Sequence, residues 1–200
     1  MNINLPMILS ALIAYCLGNI SGAIIISKLK GDDIRAHGSG NAGTTNVLRT
    51  YGTKMAVVTL LVDVLKGVFA VLIGRALYGD AGAYIAALFV ILGHIWPAVW
   101  GFKGGKGIAT ALGAILAVDW RLGLLLLVFA LAVMFATQRV SPGSILGAAA
   151  APFASMWLVP GFVPYVAVMA LIIIVKHRSN IVRIFKGEEP KVSFKKKDKQ

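Results

Sequence analysis

Residues 5–29 read LPMILSALIAYCLGNISGAIIISKL, an apolar run that meets no charge before Lys28. At about 1.5 Å of rise per residue this run makes a helix of roughly 37 Å, longer than the roughly 30 Å hydrocarbon layer of a bilayer. Its solvent is lipid. A signal peptide carries its basic residues ahead of the apolar run, and here Lys28 follows it, so the first helix is expected to be retained. Cys16, inside the run, is the only cysteine and reads as a packing residue.

Outward from this stretch, further apolar segments run from Met55 to Leu77, Ala83 to Trp100, Ile108 to Val118, Leu122 to Thr137, Ser144 to Leu158 and Phe162 to Val175. They predict an all-α integral membrane protein with seven transmembrane helices, some of them short. The pair from Ile108 to Thr137 can also be read as one long or re-entrant segment, but Asp119-Trp120-Arg121 argues for a turn between two helices. The whole chain of 200 residues combines a net charge of +12 with a mean hydropathy of +0.81, a pairing that water-soluble domains rarely show.

Lysine and arginine near helix ends are retained in the cytoplasm. With the N-terminus outside, seven crossings put 17 of the 20 basic residues on the inner face, leave Arg75 and Arg121 outside, and bury Lys66 within the second apolar segment. An even number of crossings would set the basic C-terminus opposite the basic first loop. The expectation is a single membrane-embedded domain over 1–190, followed by a basic cytoplasmic tail over 191–200. The basic residues lie between apolar segments and in that tail, not along an aromatic platform, so no nucleic-acid partner is implied.

Polar motifs gather on the inner face. The first inner loop, His37-Gly38-Ser39-Gly40-Asn41-Ala42-Gly43-Thr44-Thr45-Asn46, holds no acid and is followed closely by Arg49. Glycines let backbone N–H groups converge, and Ser39, Asn41, Thr45, Asn46 and Arg49 add donors, a set suited to phosphate. An ordinary polar turn is the plainer alternative.

The second inner loop, Gly101-Phe102-Lys103-Gly104-Gly105-Lys106-Gly107, feeds directly into the segment that starts at Ile108. A helix N-terminus behind a glycine loop with two lysines is an anion cradle, whereas simple positive-inside anchoring explains the lysines alone. Gly107 stands where a Walker A loop needs Ser or Thr, so this is not one. The helix that follows is only about 17 Å long, which suggests that the loop dips below headgroup level.

A third cluster, Lys176-His177-Arg178-Ser179-Asn180 with Arg183, Glu188 and Glu189, follows the last apolar segment. On a continuing helix His177 and Asn180 share a face, although interfacial anchoring accounts for such residues as well. Asp63 and Lys66, three residues apart inside the membrane, are expected to form a structural ion pair that can also support the site. His94 admits either a packing or a site role. Ser141-Pro142 reads as a turn, with a site contact as the alternative.

Missing motifs narrow the chemistry. No histidine has an aspartate five positions later, and there is no Gly-x-Ser-x-Gly elbow, no His-Glu-x-x-His and no paired-aspartate cluster. Neither a metal nor a cofactor is implied.

Taken in order, Gly38-Ser39-Gly40-Asn41 through Asn46-Val47-Leu48-Arg49, Gly93-His94 through Phe102 to Thr110, and His177-Arg178-Ser179-Asn180 with Gly187 and Glu189 resemble the PlsY family of bacterial acyl-phosphate:glycerol-3-phosphate acyltransferases. The likeness spans essentially the whole chain. It implies acyl transfer from acyl phosphate to the 1-hydroxyl of glycerol 3-phosphate, giving lysophosphatidic acid and inorganic phosphate in bacterial phospholipid synthesis. By motif it implies catalytic roles for Ser39, Arg49, His177 and Asn180. It also implies substrate binding by Gly40, Asn41, Thr45, Asn46, Lys103, Gly104, Gly105, Lys106 and Gly107, and a structural role for Glu189, with Glu188 as the adjacent alternative.

The implied setting is the bacterial inner membrane, with the active site facing the cytoplasm. An enzyme that forms acyl phosphate would work in the same pathway. Two readings from other classes compete: a transporter for phosphorylated anions, which would place its binding groups near the midplane between mirrored halves, and a passive scaffold, which needs no glycine loops. The enzyme reading requires the Gly40 and Gly105 regions to converge on one pocket.

Overall fold

The computed structural model describes residues 4–191, so the expected tail, apart from Lys191, lies outside the described residues. All regular structure among them is helical: α1 (Leu5–Gly18), α2 (Gly22–Leu29), α3 (Thr44–Tyr51), α4 (Thr53–Ile95), α5 (Ile108–Val118), α6 (Trp120–Thr137), α7 (Val140–Leu158), α8 (Val163–Lys176) and α9 (Arg178–Phe185), with three short 3-10 turns. Leu5–Leu29, Thr53–Trp100 and Trp120–Thr137 are long and apolar enough to cross a membrane, and Pro160–Lys176 joins Arg178–Phe185 at a 58° bend. Side chains such as Leu125, Val128 and Phe135 on α6 face outward, as lipid rather than water demands.

The first apolar run is broken. Asn19 ends α1, and the Ser21 side chain caps α2 by accepting from the Ile24 N–H. Lipid cannot satisfy the carbonyls freed by such a break, so protein must. Lys66 donates to the carbonyls of Gly18 at 3.2 Å and Ile20 at 2.5 Å, and the Trp100 indole donates to that of Asn19 at 2.9 Å.

α4 reverses direction. Tyr78 and Gly79 leave helical geometry, and a Cβ built on Gly74 would stand under 3.0 Å from the Gly82 backbone. In a straight helix, residues eight apart are separated by about 12 Å, so the element is a hairpin of two arms, 53–77 and 80–95. The arms correspond to the second and third apolar segments of the sequence. Small residues let helices approach closely throughout: Gly93 packs on the α1 backbone at Tyr15, and Gly67 of the first arm packs on α5 at Ala114.

α5 and α6 are separate helices, as Asp119 suggests: its carboxylate caps α6 by accepting from the N–H groups of Arg121 and Leu122. Two local expectations need correction. Ser141-Pro142 is not a turn, because α7 starts at Val140 and proline is tolerated in a first turn, whose N–H groups need no helical partner. The last helix does not continue straight through His177 but bends there, between α8 and α9.

Candidate active site

The first inner loop is held from within. Asn46, buried on α3, accepts from the Ser39 N–H at 3.0 Å and donates to the carbonyls of Ile34 at 3.1 Å and His37 at 2.9 Å. All three bonds tie backbone, so Asn46 shapes the loop instead of lining a binding site. Gly38 and Gly40 take left-handed φ values of 56° and 70°, which leaves Ser39 exposed between them.

Arg35 fastens this loop to the second one. Its Nε and Nη2 grip the Asp33 carboxylate at 2.9 and 2.7 Å, while Nη1 donates to the Trp100 carbonyl at 2.9 Å. Hydrogen bonding to Arg35 lowers the Asp33 pKa to about 2, so the clamp remains ionic at any physiological pH. In the sequence Arg35 is simply one of the 17 basic residues assigned to the inner face. The signal available was Asp33-Ile34-Arg35, a carboxylate and a guanidinium two residues apart.

The second loop folds back on the end of α4. The Gly104 N–H donates to the Ile95 carbonyl and the Gly105 N–H to that of His94, each at 3.2 Å. Gly105 is buried: a Cβ there would meet the His94 Nε2 and the Ala42 carbonyl at under 3.0 Å. Gly107, also buried, has a φ of 89° and turns the chain into α5. Gly105 and Gly107 therefore make the turn possible without forming the cleft wall.

The third cluster is organised by Glu189. Its buried carboxylate accepts from the Ser141 hydroxyl, from the Asn180 amide at 2.7 Å and from Arg183 Nε at 2.8 Å. Burial pushes the Glu189 pKa up, but these three bonds outweigh it and hold the carboxyl below its usual range. Glu188 is exposed. Asn180 also donates to Ser141 Oγ at 2.7 Å, and its carbonyl oxygen accepts from the Lys106 ammonium. Asn180 therefore links Lys106 to the Glu189 cluster, and Ser141, read from sequence mainly as a turn, is part of its support.

Together these segments enclose a cleft of about 890 Å³, its wall carrying six cationic side chains against one carboxylate, Asp33. Ser39, Gly40 and Asn41 line it from the first loop and Lys103, Gly104 and Lys106 from the second; Lys176, Arg178 and Arg183 complete it. Burial, followed by the nearby Arg183 charge, lowers the Lys106 pKa to about 8. Thr45, on α3, is half-buried and outside the wall. Arg49 is exposed and also outside the wall, but close enough for its charge to act on Lys106. His177 is buried, and its Nδ1–H donates to the Ile173 carbonyl at 2.8 Å, which leaves the lone pair on Nε2.

A second, apolar groove of about 110 Å³ runs between α5, α6, α7 and α8, lined among others by Ile108, Leu126, Gly147 and Met169. Lys106 lines the polar cleft and Ile108 the groove, so at most about 7.6 Å of chain separates the two. The cation-rich cleft and the apolar groove thus both border the N-terminal end of α5.

The glycerol-3-phosphate acyltransferase family model matches residues 8–187. The chain belongs to the PlsY family of glycerol-3-phosphate acyltransferases. A glycerol-3-phosphate acyltransferase of Thermoanaerobacter sp. (strain X514) is 44% identical over 191 residues, covering 94% of this chain and 96% of the relative. That of Clostridioides difficile (strain 630) is 44% identical over 198 residues, covering 94% and 97%. Among solved structures, the integral membrane PlsY in its glycerol 3-phosphate form superposes with a TM-score of 0.87 at 36% identity, covering 94% of this chain and 96% of that one. Its lysophosphatidic acid form gives 0.86 at 34%. Within the PlsY family, this chain is an integral membrane protein whose three sequence motifs meet around one cleft.

Proposed function

We propose that the protein transfers a fatty acyl group from acyl phosphate to the 1-hydroxyl of glycerol 3-phosphate, giving lysophosphatidic acid and inorganic phosphate. The reaction takes place at the cytoplasmic face of a bacterial inner membrane that the chain crosses seven times, with the N-terminus outside, and it serves phospholipid synthesis. The acyl phosphate is made by another enzyme of the same pathway. The observation that carries this reading is the junction of cation-lined cleft and apolar groove at Lys106 and Ile108. A donor with a hydrocarbon chain and an anionic head needs both, and a water-soluble anionic acceptor needs only the cleft.

In the reaction the acceptor's hydroxyl oxygen bonds to the acyl carbon and the bond from that carbon to the phosphate oxygen breaks. The hydroxyl proton ends on the released phosphate. Acyl phosphate is already activated, so positioning and charge neutralisation supply most of the acceleration. Lys106, Lys103 and Arg49 offset phosphate charge, the Ser39 hydroxyl and the Asn41 backbone N–H donate to phosphate oxygens across the Gly40 turn, and Asn180 holds Lys106. A phosphate oxygen of bound substrate takes the proton, and the neutral His177 orients without accepting it.

Purified protein in lipid nanodiscs, given acyl phosphate and glycerol 3-phosphate, is expected to release inorganic phosphate and form lysophosphatidic acid in equal amounts. Phosphate release without lysophosphatidic acid, or no release at all, would overturn the reading. Acyl-CoA offered in place of acyl phosphate tests the identity of the donor.

A further inference from the structure

The reaction outlined above leaves a buried polar centre unused. The Lys66 ammonium lies 2.8 Å from Asp63 Oδ1, 2.8 Å from His94 Nδ1, 3.2 Å from the Gly18 carbonyl and 2.5 Å from that of Ile20. Lys66 and Asp63 are on the first arm of α4, His94 ends the second arm, and the two carbonyls belong to the break between α1 and α2. Burying a charge at this depth is costly, and an ion pair made only for rigidity is replaceable by apolar packing. Here the ammonium also has work that apolar packing cannot do, since the broken helix leaves carbonyls that lipid cannot satisfy.

The centre leads to the second glycine loop by two routes. The His94 ring meets Lys66 and, at 3.5 Å, Asp63 on its Nδ1 side, and on its far side Nε2 occupies the space where a Gly105 Cβ would stand. The helix break that Lys66 satisfies also receives the other side of the loop: the Val99 N–H donates to Asn19 Oδ1 at 3.3 Å and the Trp100 indole to the Asn19 carbonyl. Both flanks of the segment carrying Lys103, Gly104 and Lys106 are thus referred to one buried ammonium.

We infer that Lys66, acting through His94 and the α1–α2 break, is a positioning residue for the second glycine loop, setting its height relative to the phosphate of glycerol 3-phosphate. The choice of substrate rests on the acyltransferase reading; the mechanical coupling does not. Asp63 compensates the charge, and Gly105 is glycine because the imidazole fills its side-chain space.

Two histidine replacements separate this from plain structural support. His94→Asn keeps an acceptor where Nδ1 was but vacates the place of Nε2, and His94→Gln does the reverse. The expected result is that His94→Asn, which cuts the contact with the loop, raises the KM for glycerol 3-phosphate about tenfold while leaving kcat and the donor KM within about twofold. His94→Gln, which keeps the wedge against Gly105 but cuts the contact with Lys66, is expected to raise the same KM by a smaller factor of about three. Asp63→Asn/Lys66→Met, which removes both charges together, is expected to raise the same KM and to add little on top of His94→Asn.

Amide hydrogen exchange in nanodiscs without substrate reads the coupling directly. The Gly104 and Gly105 amides are expected to exchange about tenfold faster in His94→Asn and in the charge-free double variant. Unchanged exchange there, or a His94→Gln variant whose KM for glycerol 3-phosphate equals that of wild type, would overturn the inference. Faster exchange in these variants, together with a wild type that makes no lysophosphatidic acid, would sink the acyltransferase reading and leave the coupling standing.

Discussion

The Lys106 ammonium donates to the side-chain oxygen of Asn180, and the Asn180 amide in turn donates to Ser141 and Glu189. A flexible lysine at the mouth of the cleft is thereby held in one geometry by a carboxylate it does not touch. Glu189→Gln keeps the shape but places an amide NH₂ against either Arg183 or Asn180, donor facing donor. Leaving a buried donor unpaired costs about 1–3 kcal/mol, so thermal unfolding of the detergent-solubilised variant is expected well below wild type. Glu188→Gln, at an exposed position, is expected to leave the midpoint unchanged. Equal midpoints for the two variants would remove Glu189 from the centre of the cluster.

Lys106 also sets a pH limit. Its pKa is lowered to about 8 by burial, so the free protein keeps the ammonium below that pH and loses it above, well before an exposed lysine would. Because kcat/KM reports the free enzyme, log kcat/KM for glycerol 3-phosphate is expected to fall with a slope near −1 above about pH 8. In Lys106→Arg, whose guanidinium stays charged, that alkaline limb should disappear even if the maximum rate drops. An unchanged limb in the arginine variant would assign the titration elsewhere.

Proton transfer gives a sharper contrast. His177→Ala is expected to keep kcat within about tenfold of wild type, because the released phosphate can accept the hydroxyl proton. On the proposed reading Arg49 offsets phosphate charge from beside the cleft, so Arg49→Ala is expected to lose about a hundredfold or more in kcat/KM. Single-turnover rates in nanodiscs measure both. A His177→Ala loss as deep as that of Arg49→Ala would make the imidazole the base and end the substrate-assisted route.

Every long apolar segment of the sequence is helical in the structure, and the motif residues Ser39, Gly40, Asn41, Lys103, Gly104 and Lys106 line one cleft. Hydrophobic runs and glycine-rich loops are local signals, which is why they could be read. The division of labour within the motifs was not local. Asn46 looks like a phosphate donor until its amide is found on the carbonyls of Ile34 and His37, and Gly105 looks like an open backbone site until His94 is found against it. The break at Asn19 was hidden for the same reason: the lysine that makes it tolerable lies 46 residues beyond Ile20.

The apolar groove predicts how chain length is measured. Gly147 lines it, and a Cβ there would meet the Ala130 methyl at 3.4 Å, ordinary contact, so alanine fits while a large side chain must fill the channel. Gly147→Phe is therefore expected to discriminate against long acyl phosphates without disturbing the phosphate cleft. Each methylene denied burial is worth about 0.8 kcal/mol, or roughly fourfold in kcat/KM. Losing burial of two methylenes should shift the preference for a long over a short donor by about fifteenfold. The KM for glycerol 3-phosphate should stay near wild type, since Gly147 is on α7 and outside the cleft wall. A uniform loss across donor lengths would mean that the acyl chain runs elsewhere, along the lipid-facing surface and not between α5 and α8.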